Sequence, residues 1–180
     1  MSRARKSQQY QNLDTLKICG IKEPVHQGSG NPPREDTDSL VTKFFEKADI
    51  PVSKKELSVT HRVPTRDSGR SKALLVKLRS RNVRNSIMRK KKDIRENTQL
   101  KEDFPDAFIV EHLTPMRAKV AYKLRQDTSI EKVWTIDGRL KVILRGAAPS
   151  DKPITVDSLS QLTKIPGWTN DDVTKLVFES

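Results

Sequence analysis

Apolar positions along this chain recur with two periods, about two and about 3.6 residues, and the switches between them mark out its elements. In LDTLKICGI (13–21), Leu16 and Ile18 alternate and a glycine follows, the pattern of a core strand ending in a turn. A Gly-, Pro- and Ser-containing loop (22–36) separates it from a helix over 38–48. Asp36 or Thr37 caps that helix, and Leu40, Val41, Phe44, Phe45 and Ala48 form its apolar stripe. Pro51 and Ser53 end it. Leu57, Val59, His61 and Val63 then alternate as a half-buried strand, with His61 expected on its buried side. Residues 64–70 form a loop, and Ala73–Leu78 is a near-continuous apolar run that reads as a central strand. Ser80 caps a second helix whose inward positions are Val83, Ile87 and Ile94, leaving Arg84, Arg89, Lys91, Lys92 and Arg95 on its surface. AFIV (107–110) is a fourth short strand.

Strand, helix, strand, strand, helix, strand is the split βαβ order. The predicted fold class is therefore α+β: a ferredoxin-like βαββαβ sandwich over 13–113, with an antiparallel sheet and two helices on one face. A small helix-plus-hairpin domain over 114–165 follows. Thr114 precedes Pro115 at the first helical position, and Val120, Ala121 and Leu124 line one side of that helix. VWTIDGRLKVIL (133–144) is a hairpin turning at Asp137-Gly138. Ile154, Val156, Leu159 and Leu162 suggest a strand leading into a short helix. Residues 1–12 are expected to be a flexible basic terminus and 166–180 a tail.

Charge sharpens this outline. The 180 residues carry a formal net charge of +12, and between Arg62 and Arg95 thirteen cationic residues stand against only Asp67 and Asp93. Concentrating nearly all of the surplus on one strand–loop–strand–helix unit points to a polyanionic partner, of which nucleic acid is the commonest. A solvated basic face, or a nuclear import signal in RKKK (89–92), is the blander alternative. No apolar run approaches a membrane span, and the N-terminal twenty residues lack a signal-peptide core, so an intracellular protein, nuclear or cytoplasmic and not secreted, is expected. Cys19 reads as a small buried hydrophobe. The His and Cys positions have no zinc spacing, GSGN lacks the lysine of a phosphate-binding loop, and no nucleophile–base set is recognisable. The chain is expected to be no enzyme and to use no cofactor, metal or small-molecule substrate.

The blocks LKICGIKE, FFEKADI, VTHRVP, ALLVKLRS, FIVEHLTP and VWTIDGRLKV, in this order over about residues 13–162, resemble the FP (few-polyhedra) protein family of baculoviruses. They also resemble its cellular relatives linked to the first-open-reading-frame proteins of LINE retrotransposons. The resemblance implies a noncanonical RNA-recognition-motif (RRM) domain followed by a small C-terminal domain. Together these would clasp single-stranded RNA or DNA and act as a nucleic-acid chaperone. By motif, it points to Arg66 and Arg70 between strands two and three, Lys77 on strand three, Lys92 on the basic helix, Arg117 on the later helix and Trp134 on the hairpin. Lys77, in the middle of a central strand, is expected to face an anion on an open sheet face. For Trp134, core packing and base stacking both stay open. An ordinary RNA-recognition motif carries stacking aromatics on strands one and three. LKICGI and KALLVKL have none, which shifts the expected binding onto cations that follow the backbone. The LINE proteins form homo-oligomers through an upstream coiled coil, and these residues contain no heptads, so the oligomeric state stays open. An assembly module, in the manner of FP proteins in virion envelopment and occlusion, is the alternative function.

Overall fold

A computed structural model describes residues 9–10, 12–24, 35–64, 69 and 71–178. The chain divides into one unit of Leu13–His112 and another of Leu113–Ser180 together with Met1–Asn12. It is a mixed α+β protein with two antiparallel sheets, of four and three strands.

The first unit contains β1 (Thr15–Cys19), α1 (Thr37–Lys47), β2 (Leu57–Arg62), β3 (Leu74–Leu78), α2 (Arg81–Arg89), α3 (Lys91–Glu96), α4 (Thr98–Asp103) and β4 (Phe108–Glu111). Its sheet order is β2-β3-β1-β4 with every neighbouring pair antiparallel. Leu16, Ile18, Leu74, Val76, Leu78 and Ile109 point to one face, where Val41, Phe44, Phe45, Ile87, Ile94 and Leu100 of the helices complete the core. The Asp36 carboxylate caps α1 by accepting the Ser39 N–H at 3.0 Å. Gly20 ends β1 at φ +80°, and a Cβ there would collide with the Asp106 carbonyl, so only glycine fits.

Two expectations change here. In β2 the register shifts between Leu57 and Val59. Leu57 stays buried, but the bulge turns Val59 and His61 outward and leaves Thr60 and Arg62 on the helix side. One inserted residue reverses an alternation of period two, so the expected buried histidine is an exposed one. The predicted single basic helix is two, α2 and α3, and α4 is a further helix beyond its expected end. Lys90 closes α2 and opens α3, and Asn97 leaves helical geometry at ψ 115° and caps α4 by accepting the Leu100 N–H at 2.9 Å. The kinks bring Ile87, Ile94 and Leu100 onto one core.

The second unit contains α5 (Pro115–Gln126), β5 (Ile130–Ile136), β6 (Arg139–Leu144), β7 (Ile154–Val156), a 3-10 segment (Leu159–Lys164) and α6 (Asn170–Phe178). Its sheet order is β5-β6-β7. Asp137 and Gly138 both have positive φ, the two-residue hairpin turn that the sequence pattern implies. The expected tail is instead largely α6: Leu176 is buried, and Trp168, Val173 and Val177 pack on the core formed by Val120, Leu124, Val142 and Leu162. Val173, Leu176 and Val177 stand at the i, i+3, i+4 spacing of a helix face, a short signal that the reading of a tail passed over. Gln9, expected within a flexible terminus, is buried, and its Oε1 accepts the Thr114 N–H at 3.0 Å.

Candidate functional site

A β-strand sends successive side chains to opposite faces, so a sheet covered by helices on one side displays its other set of residues. In the first unit that set forms rows across the strands, with Thr15 alone of them buried: Val59–Lys77–Thr15, then His61–Leu75–Lys17–Val110, then Cys19–Phe108. Lys17 and Lys77 therefore stand on the two central strands, on the face that no helix of this unit covers. The Lys77 ammonium lies 3.7 Å from the Asp14 carboxylate and stays about half exposed. Nearby, His112 feels the same positive field. Burial first, and then Lys17 and His61, hold its imidazole down to about 4, so it is neutral at physiological pH.

Two grooves meet at the free edge of β4. One, of about 660 Å³, runs off the open face and is lined by Lys17, Cys19, Lys22, Asp106 and Phe108 among others. The other, of about 460 Å³, lies where α3 and α4 approach β4, and its cations are Lys91, Arg95 and Lys101. Asp106 and Phe108 line both. Phe108 is 46% exposed, an aromatic on the open side of a strand whose next residue, Ile109, is buried.

Of the residues singled out from the sequence, Lys77 and Lys92 belong to the first unit and Arg117 and Trp134 to the second. Arg66 and Arg70 lie outside the described residues. Lys77 is on the open face, as a charged residue on a central strand must be. Lys92 is 82% exposed on α3, on the helix-covered side, with Glu96 4.0 Å away. Lys77 and Lys92 thus flank opposite faces of one sheet and do not line a common trough. Arg117 is a bracing residue: its guanidinium donates to the Gly138 carbonyl and, at 3.1 Å, to that of Asp157, tying the hairpin turn to the chain after β7. Trp134 pairs across strands with Lys141, on the side of its sheet opposite Val133, Val142 and the core. Lys132 and Arg139 share that side with it.

Several cations of the basic stretch are engaged within the fold. Arg62 makes a bidentate pair with Glu35 (2.9 and 2.8 Å) and donates to the carbonyls of Ile21, Lys22 and Lys72. It is no solvated loop arginine. Lys72 gives both its N–H and its ammonium to Glu23, and these bonds hold that carboxyl below the usual carboxylate range. Arg84, expected on the helix surface, is buried, with Nη2 2.6 Å from the Glu111 Oε1 and both side chains 3% exposed. Among the described cations of the basic segment, Lys72, Arg79, Arg81, Arg89–Lys92 and Arg95 are exposed and Lys77 is about half exposed.

No family model and no curated protein matches the chain. The likeness to FP-type and LINE proteins accordingly rests on the sequence blocks quoted above. Among the described residues, no group of three or more His, Cys, Asp or Glu side chains is arranged to hold a metal ion, and no helix is long and apolar enough to cross a membrane.

Sequence reasoning passed over Phe108, Lys17, Lys22 and Lys101. Phe108 was read as one apolar position in AFIV. Only its sheet position, with Ile109 buried beside it, reveals an outward ring. Lys17 carried a legible signal, a lysine between Leu16 and Ile18 in a core strand, which is the same pattern that singled out Lys77.

Proposed function

We propose that this protein is a non-enzymatic, sequence-tolerant binder of single-stranded nucleic acid, built on an RRM-like domain of ferredoxin-like topology. The observation that carries this reading is the open sheet face with lysines on both central strands, Lys17 and Lys77, continued at the β4 edge by Lys22, Lys91, Arg95 and Lys101. The strand order β2-β3-β1-β4 supports the topology, since a split βαβ sandwich has its first and third strands in the centre. The face opposite the helices is where RNA-recognition domains take single strands. The resemblance to the FP and LINE families points the same way and adds a chaperone role, in which strands are ordered or annealed without covalent chemistry.

Affinity on such a surface comes mainly from counterion release. With five or so phosphate contacts, log K should fall with log salt at a slope of roughly −3 to −4 for a single strand. Fluorescence polarisation with a short labelled oligonucleotide measures this. A flat salt response, or no binding at low salt, would overturn the proposal and leave the assembly-module alternative. Reversing Arg66 and Arg70 to Glu tests that loop: the family resemblance expects oligonucleotide binding to weaken, whereas unchanged binding argues against a role for it.

A further inference from the structure

Phe108 is the wall common to both grooves at the β4 edge, and its exposure has no structural justification inside the unit. A large ring left nearly half open on an edge strand is a liability unless something covers it. Around it the charges are ordered: Lys17 and Lys22 on the open-face side, Lys91, Arg95 and Lys101 on the helix side. Cation, ring, cation along one path is the complement of phosphate, base, phosphate in a single strand. Asp106 is the one acidic side chain among the described residues lining either groove, and it shares the wall with the ring. Phosphates are thereby favoured to either side of that wall and not over it, which leaves the ring position for the base.

We infer that a single-stranded nucleic acid turns around the β4 edge here, stacking one base on Phe108 while the flanking phosphates sit in the two cationic grooves. This rests on the nucleic-acid reading above and adds to it a base-stacking site on the fourth strand, in place of aromatics that the first and third strands lack. Stacking of one base contributes by its π-face, so the site is tolerant of sequence but needs a base.

The test is fluorescence anisotropy of the full chain with a labelled single-stranded oligonucleotide and its abasic counterpart, over a salt series, with circular dichroism on each variant. The wild type should prefer the base-bearing strand. Phe108→Ala should weaken that strand's binding by roughly 5- to 150-fold while leaving both the abasic strand and the salt slope unchanged, because no phosphate contact is lost. Phe108→Tyr should restore the preference. Neutralising Lys91, Arg95 and Lys101 together to Gln should instead weaken both strands and flatten the slope by about 2. If the wild type binds with a steep salt slope but Phe108→Ala leaves its affinity for the base-bearing strand unchanged, or the wild type does not distinguish the two strands, the stacking site is overturned and the nucleic-acid reading spared. Failure of the wild type to bind either strand at low salt overturns both.

Discussion

Arg84 and Glu111 illustrate how far a residue's identity is from its role. The pair joins α2 to β4 inside the core of the first unit, at 2.6 Å and almost out of solvent, and Arg84 Nη1 also donates to Asn85 at 3.1 Å. Burying two charges is costly, and removing one partner leaves the other uncompensated. Glu111→Ala or Arg84→Ala should therefore destabilise the unit by about 3–5 kcal/mol in urea titrations. Replacing both, as Arg84→Met with Glu111→Leu, should recover most of that loss. Arg117, which the family resemblance implies as a binding residue, is engaged with the Gly138 and Asp157 carbonyls in the second unit. Its bonds go to backbone carbonyls, so Arg117→Ala should lower the stability of the second unit by about 1.5–3 kcal/mol and leave the salt slope of oligonucleotide binding as it was. A reduced slope with unchanged stability would return Arg117 to the binding surface. His112 supplies a pH signature. Its folded pKa of about 4 lies below the ordinary histidine value of 6.5, so the unfolded chain takes up the proton first. Its contribution to stability is complete above pH 6.5 and is lost as the pH falls towards 4. Denaturation midpoints of His112→Gln should accordingly decline less than those of the wild type across that window.

At the level of elements, local rules located most helices and strands, and tertiary contacts changed which side β2 shows. In β2 the apolar alternation of Leu57, Val59, His61 and Val63 was legible, but the bulge after Leu57 was not, because an inserted residue leaves no compositional trace. The basic helix was legible as a helix. Its break at Lys90, and the further helix after Asn97 that was not legible, answer to the geometry of the core beneath, which Ile87, Ile94 and Leu100 must all reach. Gly20 is the clearest constraint on an element. It combines φ +80° with a backbone neighbour that no flexible side chain can move aside. Gly20→Ala should cost at least about 1–3 kcal/mol from the strained dihedral alone, with more from the clash against Asp106. A midpoint equal to that of the wild type would mean that β1 ends differently.

For the whole molecule, the consequence of +12 depends on where the charge goes. Arg62, Lys72 and Arg84 are engaged with carboxylates in the first unit, so the density of thirteen cations between 62 and 95 overstates what a partner can meet. Of the remaining described cations in that stretch, Lys77 stands on the open sheet face and Lys91 and Arg95 line the groove beside β4. Because the first unit has its own closed set of core residues, the segment 13–112 expressed alone should unfold in one cooperative urea transition. A broad, non-cooperative melt would mean that this core is incomplete without the remainder of the chain.

From the order of its residues alone, this protein is committed to most of its strands and helices, to the Asp137-Gly138 turn, to the glycine after β1 and to a strongly cationic middle. Each of these follows from contacts within a few positions along the chain, where periodicity and backbone preference act. Which cations stay available was decided by folding, since Glu35 and Glu111 each stand 27 positions from the arginine they engage. The outward ring of Phe108 was decided the same way. A side chain's burial and partners depend on what the fold brings beside it, and no local pattern carries that.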